Sequence, residues 1–245
     1  VKTENLVSIV TARQAAGELD VYRIVKLIYS YPTIEEVQAV CVNLKDEPWL
    51  SYFDPNTLKM EGSDKFGGQW AVPTGTVGTG VLYYNKTYID SLGLSLPKTW
   101  GDFLSFMDAI KADGKMAPIL YGGADKWPLN MIFISFVAAI IQAVKPTFFF
   151  DDLKAGTASL DDPLVLEIFT KFKKLGEYFQ ENALGEAYDN IPGMFAQQKG
   201  AMIIDGSWRA GPLDTSTVPE FEVGVMVPPF SDIAENNTLY TAKVA

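Results

Sequence analysis

The sequence predicts an α/β protein. Three observations carry this. Short runs of β-favouring apolar residues alternate with longer stretches whose apolar residues recur at helical spacing. The 245 residues are 48% hydrophobic and 13% aromatic, the composition of a packed globular chain rather than a disordered one. No internal repeat breaks the alternation.

In order, residues 4–17 read as a helix stopped at Gly17, followed by a short strand from Glu18 to Ile24. Thr33, with Glu36 three residues later, reads as the cap of a short helix reaching Val40. Residues 43–58 read as aromatic-rich loops and turns, and residues 64–73 as a hairpin around Gly67 and Gly68. A strand is expected over Val81–Asn85, then a short helix from Tyr88 to Leu92. Thr99 with Asp102 caps a helix in which Phe103, Phe106, Met107 and Ile110 share a face and which Gly114 ends. Ala117–Tyr121 is a strand with the loop Gly122–Asp125 at its end. Residues 127–144 read as a helix buried on most sides, because Pro128, Asn130, Ser135 and Gln142 interrupt what would otherwise be a borderline membrane span. Residues 148–159 read as a loop. Asp161, Asp162 and Pro163 cap a helix with an apolar stripe of Val165, Ile168, Phe172, Leu175 and Phe179, opposite Glu167, Lys171, Lys174 and Glu177. A short helix over 190–199 precedes a buried strand over 200–204, and a last strand covers 221–228.

Composition excludes several functions. The net charge is −10, only Arg13, Arg23 and Arg209 are arginines, and no basic run exists, so no nucleic-acid partner is expected. The chain has no histidine and one cysteine, Cys41, read as a small buried hydrophobe. That removes Ser-His-Asp and Cys-His nucleophiles, an internal disulfide and most zinc sites, so neither a metal nor a cofactor is expected. No leader precedes Val1, which fits a cytosolic chain or a mature, trimmed one.

The stretch AVPTGTVGTGVLYYNK, residues 71–86, divides two differently patterned bodies. Its glycines read G-x-x-G-x-G and precede a strand, whereas phosphate binding calls for a following helix N-terminus, so a nucleotide site is disfavoured. The stretch reads instead as a crossing segment that bends between Pro73 and Gly80. Ligands of open α/β sheets sit beyond the carboxyl ends of strands. Three loops rich in recognition chemistry meet that description: Thr74 to Thr76, Gly122 to Trp127 and Asp205 to Arg209.

VPTGTVGTGVLYYNK, LPKTWGDF, GGADKWP and MFAQQKGAMIIDGSW, in that order, resemble the family 1 extracellular solute-binding proteins of ABC importers, the maltose-binding-protein-like sugar binders. GELDVYRI and DEPWL upstream are similar too. The resemblance implies a two-lobed, type II periplasmic-binding-protein-like fold with open sheets flanked by helices. Residues 1–73 would be part of the first lobe, 74–80 the hinge, 81–228 the second lobe and 229–245 a return toward the hinge. It implies a chain that is incomplete relative to the family. It further implies non-catalytic capture of a sugar or oligosaccharide in an inter-lobe cleft and delivery to a membrane permease, by a monomer located in the periplasm or outside the cell, lipid-anchored in some members.

A sugar offers apolar C–H faces and a rim of hydroxyls, so its site needs flat aromatics and polar groups together. Trp208 matches the family position that stacks on a sugar ring. Arg209 either donates to hydroxyls or pairs with a carboxylate. Asp125 either accepts hydroxyls or caps the next helix, and Trp127 either contacts ligand or packs. Thr74, Gly75 and Thr76 line the crossing segment, and Tyr22 and Arg23 end a first-lobe strand. No acidic residue lies within 71–86, where maltose-binding relatives carry a carboxylate, so maltodextrin is not the implied ligand. Trp100 reads as a packing residue, and of Tyr83 and Tyr84 one ring is expected in the sheet. The alternatives are a binder of a non-sugar solute such as a peptide or polyamine, or a glycoside hydrolase using Asp125 and Asp205 as its carboxylate pair.

Overall fold

The computed structural model describes residues 9, 12–13, 15–18, 33–58, 65–72, 75–211 and 221–244. The predicted strand over 18–24, with Tyr22 and Arg23, and position 74 lie outside the described residues, as does most of the predicted first helix. The chain divides into two compact units, Val1–Val77 with Ala242–Ala245, and Gly78–Thr241.

In the first unit, helix α1 (Ile34–Gln38) starts where the Thr33 hydroxyl accepts the Glu36 N–H. It buries Val37 against Trp70, with Ile34 and Cys41 partly covering the pair. Cys41 is thus half-buried rather than fully buried. The expected hairpin at 64–73 is absent among the described residues. Lys65–Gly67 instead makes a tight 3-10 turn with Phe66 and Gly67 both at positive φ, at 58° and 71°. Gln69 then ties back to Asn43 and Leu44: the Leu44 N–H donates to its carbonyl and its own N–H donates to the Asn43 side chain. The backbone groups of Gln69 are thus taken by residues 43 and 44 and not by a hairpin arm.

Strands β1 (Gly75–Thr79) and β6 (Tyr240–Val244) pair as a two-stranded ribbon, and the boundary between the units falls within both. Gly75 and Thr76 are therefore strand residues and not part of a loop.

The second unit is built on a four-stranded sheet of order β3-β4-β2-β5, comprising β2 (Val81–Asn85), β3 (Ala117–Leu120), β4 (Gly200–Asp205) and β5 (Val223–Met226). β3 and β4 run parallel, with Leu120 opposite Ile203; β2 is antiparallel to both β4 and β5, with Val81 opposite Asp205. Side chains alternate between faces along a strand. Leu82, Tyr84, Ile119, Met202 and Ile204 enter one core and Val81, Tyr83, Leu120 and Ile203 the other. Both faces are covered, which is why these strands read as continuous apolar runs. Both Tyr83 and Tyr84 are buried, on opposite faces.

The larger core is closed by α3 (Trp100–Asp113), α4 (Pro128–Phe136) and α5 (Pro163–Leu175), and α2 (Lys86–Ser91) adds Tyr88 and Ile89. α3 has a complete capping box between Thr99 and Asp102, and Gly114 ends it at φ 72°, a left-handed conformation that glycine adopts without a Cβ penalty. α4 continues as a π-helical turn, Val137–Gln142, so the buried run expected over 127–144 is helical but wider-wound at its end. None of the helices among the described residues is long and apolar enough to cross a membrane. Phe136 and Phe230 stack at 3.8 Å with Trp100 edge-on at 5.8 Å, so Trp100 is a packing residue. Each such fully buried ring contributes roughly 1.5–3 kcal/mol.

Two further expectations are corrected. Residues 148–159 contain a π-turn, Phe148–Asp152, and a helical turn, Leu153–Ala155, rather than an open loop. Lys171 is not on a solvated face: it is 8% exposed, because its ammonium reaches Glu167, Asp232 and the Phe230 carbonyl while lying over the Trp100 ring. The carboxylates, the Phe230 carbonyl and the indole face together hold the ammonium in this buried place. The opposite core is closed by α6 (Ile191–Ala196), through Ile191 and Phe195.

Candidate functional site

Because β3 and β4 are parallel neighbours, the loops after Leu120 and after Asp205 leave the same edge of the sheet. Val81 is opposite Asp205, so the turn before β2 arrives there too. The Gly78 N–H donates to the Ser207 hydroxyl at 3.0 Å, and the Tyr83 hydroxyl donates to the Gly206 carbonyl at 3.0 Å. Burial first, and the Asp205 charge second, push the Tyr83 hydroxyl up to about 12.

The loop Gly122–Trp127 is stitched to residues 183–188. The Gly123 N–H donates to the Ala183 carbonyl and the Ala124 N–H to the Glu186 carbonyl. Asp125 accepts the Tyr188 backbone N–H at 2.8 Å. Asp125 is thus engaged with Tyr188 and does not cap α4, whose N-cap is Trp127 with no side-chain cap bond. A Cβ on Gly122 would lie 2.6 Å from the Tyr188 Cα, so only glycine allows the two backbones this close.

Tyr188 is the node of the site, and no motif in the sequence singled it out. Its ring meets the Trp127 ring edge-on at 4.4 Å. The Arg209 guanidinium lies over the same ring, 4.4 Å from its centre. The Tyr188 hydroxyl donates to Asp205 Oδ1 at 2.7 Å and accepts the Trp208 indole N–H at 2.8 Å. Asp205 also accepts the Gly206 N–H on Oδ1 and the Arg209 Nε–H on Oδ2, both at 2.7 Å. Asp205 and Arg209 are 2% and 8% exposed. Burial disfavours the charge on Arg209, but Asp205 and Tyr188 together outweigh it and raise the guanidinium's pKa. Burial, then Asp205, likewise raises that of the Tyr188 hydroxyl. Arg209 Nη2 finds no partner among the described residues.

Above this polar floor stand the two indoles. Trp127 is 43% exposed and Trp208 40%, with ring centres 6.5 Å apart and planes inclined at 46°. The Trp208 ring lies over the Gly206 backbone, where a Cβ would come within 2.2 Å of ring carbons. Beside residues 186–190 is an open polar hollow of about 420 Å³, lined by Glu186, Asp189, Asn190, Gly193, Met194, Gln197 and Lys199.

The structure therefore brings Asp125, Trp127, Trp208 and Arg209 together at one sheet edge. Gly75 and Thr76 lie in β1, in the other unit. Among the described residues no cluster of three or more acidic, cysteine or histidine side chains is arranged to hold a metal.

An α/β unit with aromatic faces displayed at the carboxyl ends of parallel strands, over a hydrogen-bonded polar floor, has the character of a binding module. The chain belongs to the bacterial extracellular solute-binding protein family, matched over residues 29–242. It is 29% identical over 163 residues to the multiple sugar-binding protein of Streptococcus mutans, covering 65% of this chain and 38% of that one. It is 27% identical over 153 residues to a probable sugar-binding periplasmic protein of Rhizobium meliloti, covering 62% and 36%. The fold matches the solute-binding protein RafE in complex with raffinose (TM-score 0.71, 22% identity, all of this chain and 62% of that one). It also matches a chitin oligosaccharide binding protein (TM-score 0.73, 24% identity, 98% and 59%). The chain thus spans well under half the length of these sequence relatives and about three-fifths of these structures, whose type II solute-binding fold it shares.

Proposed function

We propose that the protein captures a sugar or oligosaccharide outside the cytoplasmic membrane and hands it to an ABC permease, without chemistry of its own. The observation that carries this is the corner formed by Trp127, Tyr188 and Trp208: two half-exposed indoles held at a fixed angle, with the Trp208 N–H already engaged, so that its face is what remains for a ligand. Such faces match the C–H surface of a pyranose. In this reading Trp127 and Trp208 contact the sugar, and Asp125, through the oxygen not engaged by Tyr188, accepts a hydroxyl. Arg209, Thr74, Gly75, Thr76, Tyr22 and Arg23 are the further proposed members of the site. Residues 81–228 form the second lobe, 1–73 part of the first, 74–80 the crossing and 229–245 the return. The protein acts as a monomer, held at the membrane by a lipid anchor or free in the periplasm.

Hydrolysis by a carboxylate pair is disfavoured, because both Asp205 oxygens are engaged by Tyr188, Gly206 and Arg209. The test is thermal unfolding with raffinose, stachyose, chitin oligosaccharides, simple methyl glycosides and spermidine. A ligand that binds only the native state raises the midpoint. A rise with a saccharide is expected; a rise with spermidine alone, or with none of them, overturns the reading.

A further inference from the structure

Resting on that reading, we infer that Asp205, Arg209 and Tyr188 form a positioning unit that turns the Trp208 N–H inward and leaves the Trp208 indole, beside Trp127, to present a bare face to an uncharged, C–H-rich ligand surface. In the sequence Arg209 reads as either a donor to hydroxyls or the partner of a carboxylate. In the structure its Nε is on Asp205, its plane lies on the Tyr188 ring and it is 8% exposed. Its charge is matched within the floor by Asp205, itself 2% exposed. The Tyr188 hydroxyl, between Asp205 and the Trp208 N–H, transmits the position of that pair to the indole. An indole with a free N–H would rotate to offer its edge to a hydroxyl; one anchored at 2.8 Å offers its face. The same ring, edge-on to Trp127, sets the angle between the two walls. Arg209, Asp205 and Tyr188 are thus positioning residues for a neutral sugar, and the acidic groups near them, Asp125, Glu186 and Asp189, disfavour a uronate.

The experiment uses Tyr188→Phe, Asp205→Asn and Arg209→Lys, each with a melting curve. Two readouts follow: the Trp208 indole N–H resonance, assigned with Trp208→Phe, and calorimetric affinity for methyl glycosides and the matching methyl uronide. The resonance should shift and lose exchange protection in Tyr188→Phe, which keeps the ring and drops only the hydroxyl. It should also move in Asp205→Asn and Arg209→Lys, although neither residue hydrogen-bonds the indole. Affinity for the neutral glycoside should fall about tenfold in Tyr188→Phe, and adding Asp205→Asn should cost little more, since coupled residues are non-additive. An unchanged resonance in Tyr188→Phe overturns the inference, as does a uronide that binds more tightly than the neutral glycoside and loses that advantage in Arg209→Lys. If the wild-type protein binds no saccharide, the sugar reading fails by itself, and the resonance still decides whether the unit positions the indole.

Discussion

Gly80 allows the sharpest test of how the start of β2 is built. It sits at φ 76°, and a Cβ there would lie 1.6 Å from the Ser135 hydroxyl and 2.8 Å from its Cβ. Ser135 is buried in α4 with its hydroxyl donating to the Met131 carbonyl, so moving it aside breaks that bond, and its Cβ is close as well. Gly80→Ala therefore carries two penalties. The left-handed backbone costs about 1–2 kcal/mol, and overpacking a closed contact costs about 1–3 kcal/mol. Gly93 separates them, because it has φ 66° and nothing within 4 Å of its would-be Cβ. Gly93→Ala should show only the first penalty. For a chain of this size the difference corresponds to an extra fall of roughly 2–12 °C in the melting midpoint of Gly80→Ala. Ser135→Gly should recover much of the difference in a double-mutant cycle, beyond its own propensity cost of about 0.5 kcal/mol. Urea and thermal melts of the four variants suffice. Equal destabilisation of Gly80→Ala and Gly93→Ala, or strict additivity with Ser135→Gly, would refute the close-packing argument and return Gly80 to the role of a free bending point.

Gly206→Ala should displace the Trp208 ring, shifting tryptophan emission and weakening saccharide binding, while the melting midpoint moves by only a few degrees, because the ring it strikes is half-exposed. Lys171→Ala should lower stability by about 1–3 kcal/mol, less than a fully buried pair would, since Glu167 and Asp232 are substantially exposed. Lys171→Met should lose less in the same melts, because an unbranched apolar chain still fills this buried place. Hydrogen bonds from Thr99 and the Lys98 backbone hold Asp102 below its ordinary 3.8, the Tyr88 hydroxyl does so for Asp113 and Lys145 for Asp162. A depressed folded pKa means that the unfolded chain takes up protons first, so this stability is present above 3.8 and is lost as pH falls through the lower folded values. The melting midpoint should hold near neutrality and drop below about pH 4, with a shallower acid slope in Asp102→Asn.

The elements whose signals are local were legible in the sequence. The Thr99–Asp102 cap, the Gly114 stop, the Asp162–Pro163 start and the apolar strand over 81–85 depend on neighbours a few residues away, and they stand where periodicity and capping chemistry put them. The failures are tertiary. Lys171 reads as surface because nothing near it in the chain reveals that Asp232 and the Phe230 carbonyl will meet it. The 64–73 hairpin failed because Gln69 is held by Asn43, 26 residues back, instead of by a partner strand. Within the candidate site, the two tryptophans were visible as loop residues after strands. Tyr188 was not, since it lies in a short 3-10 turn with no strand before it. The faint available signal was an aromatic residue opening a turn in a segment otherwise rich in acids and small residues.

The aromatic corner is also a matter of timing. Asp125 meets Tyr188 across 63 residues of chain, and Gly78 meets Ser207 across 129. Contacts of such separation form slowly, because a long loop must close before any of them stabilises it. A chain emerging from its amino end therefore displays Trp127 with no facing wall until β4 has docked beside β3. The corner needs Trp127, Tyr188 and Trp208 together, so the proposed capture of a ligand awaits a chain in which β4 already lies beside β3.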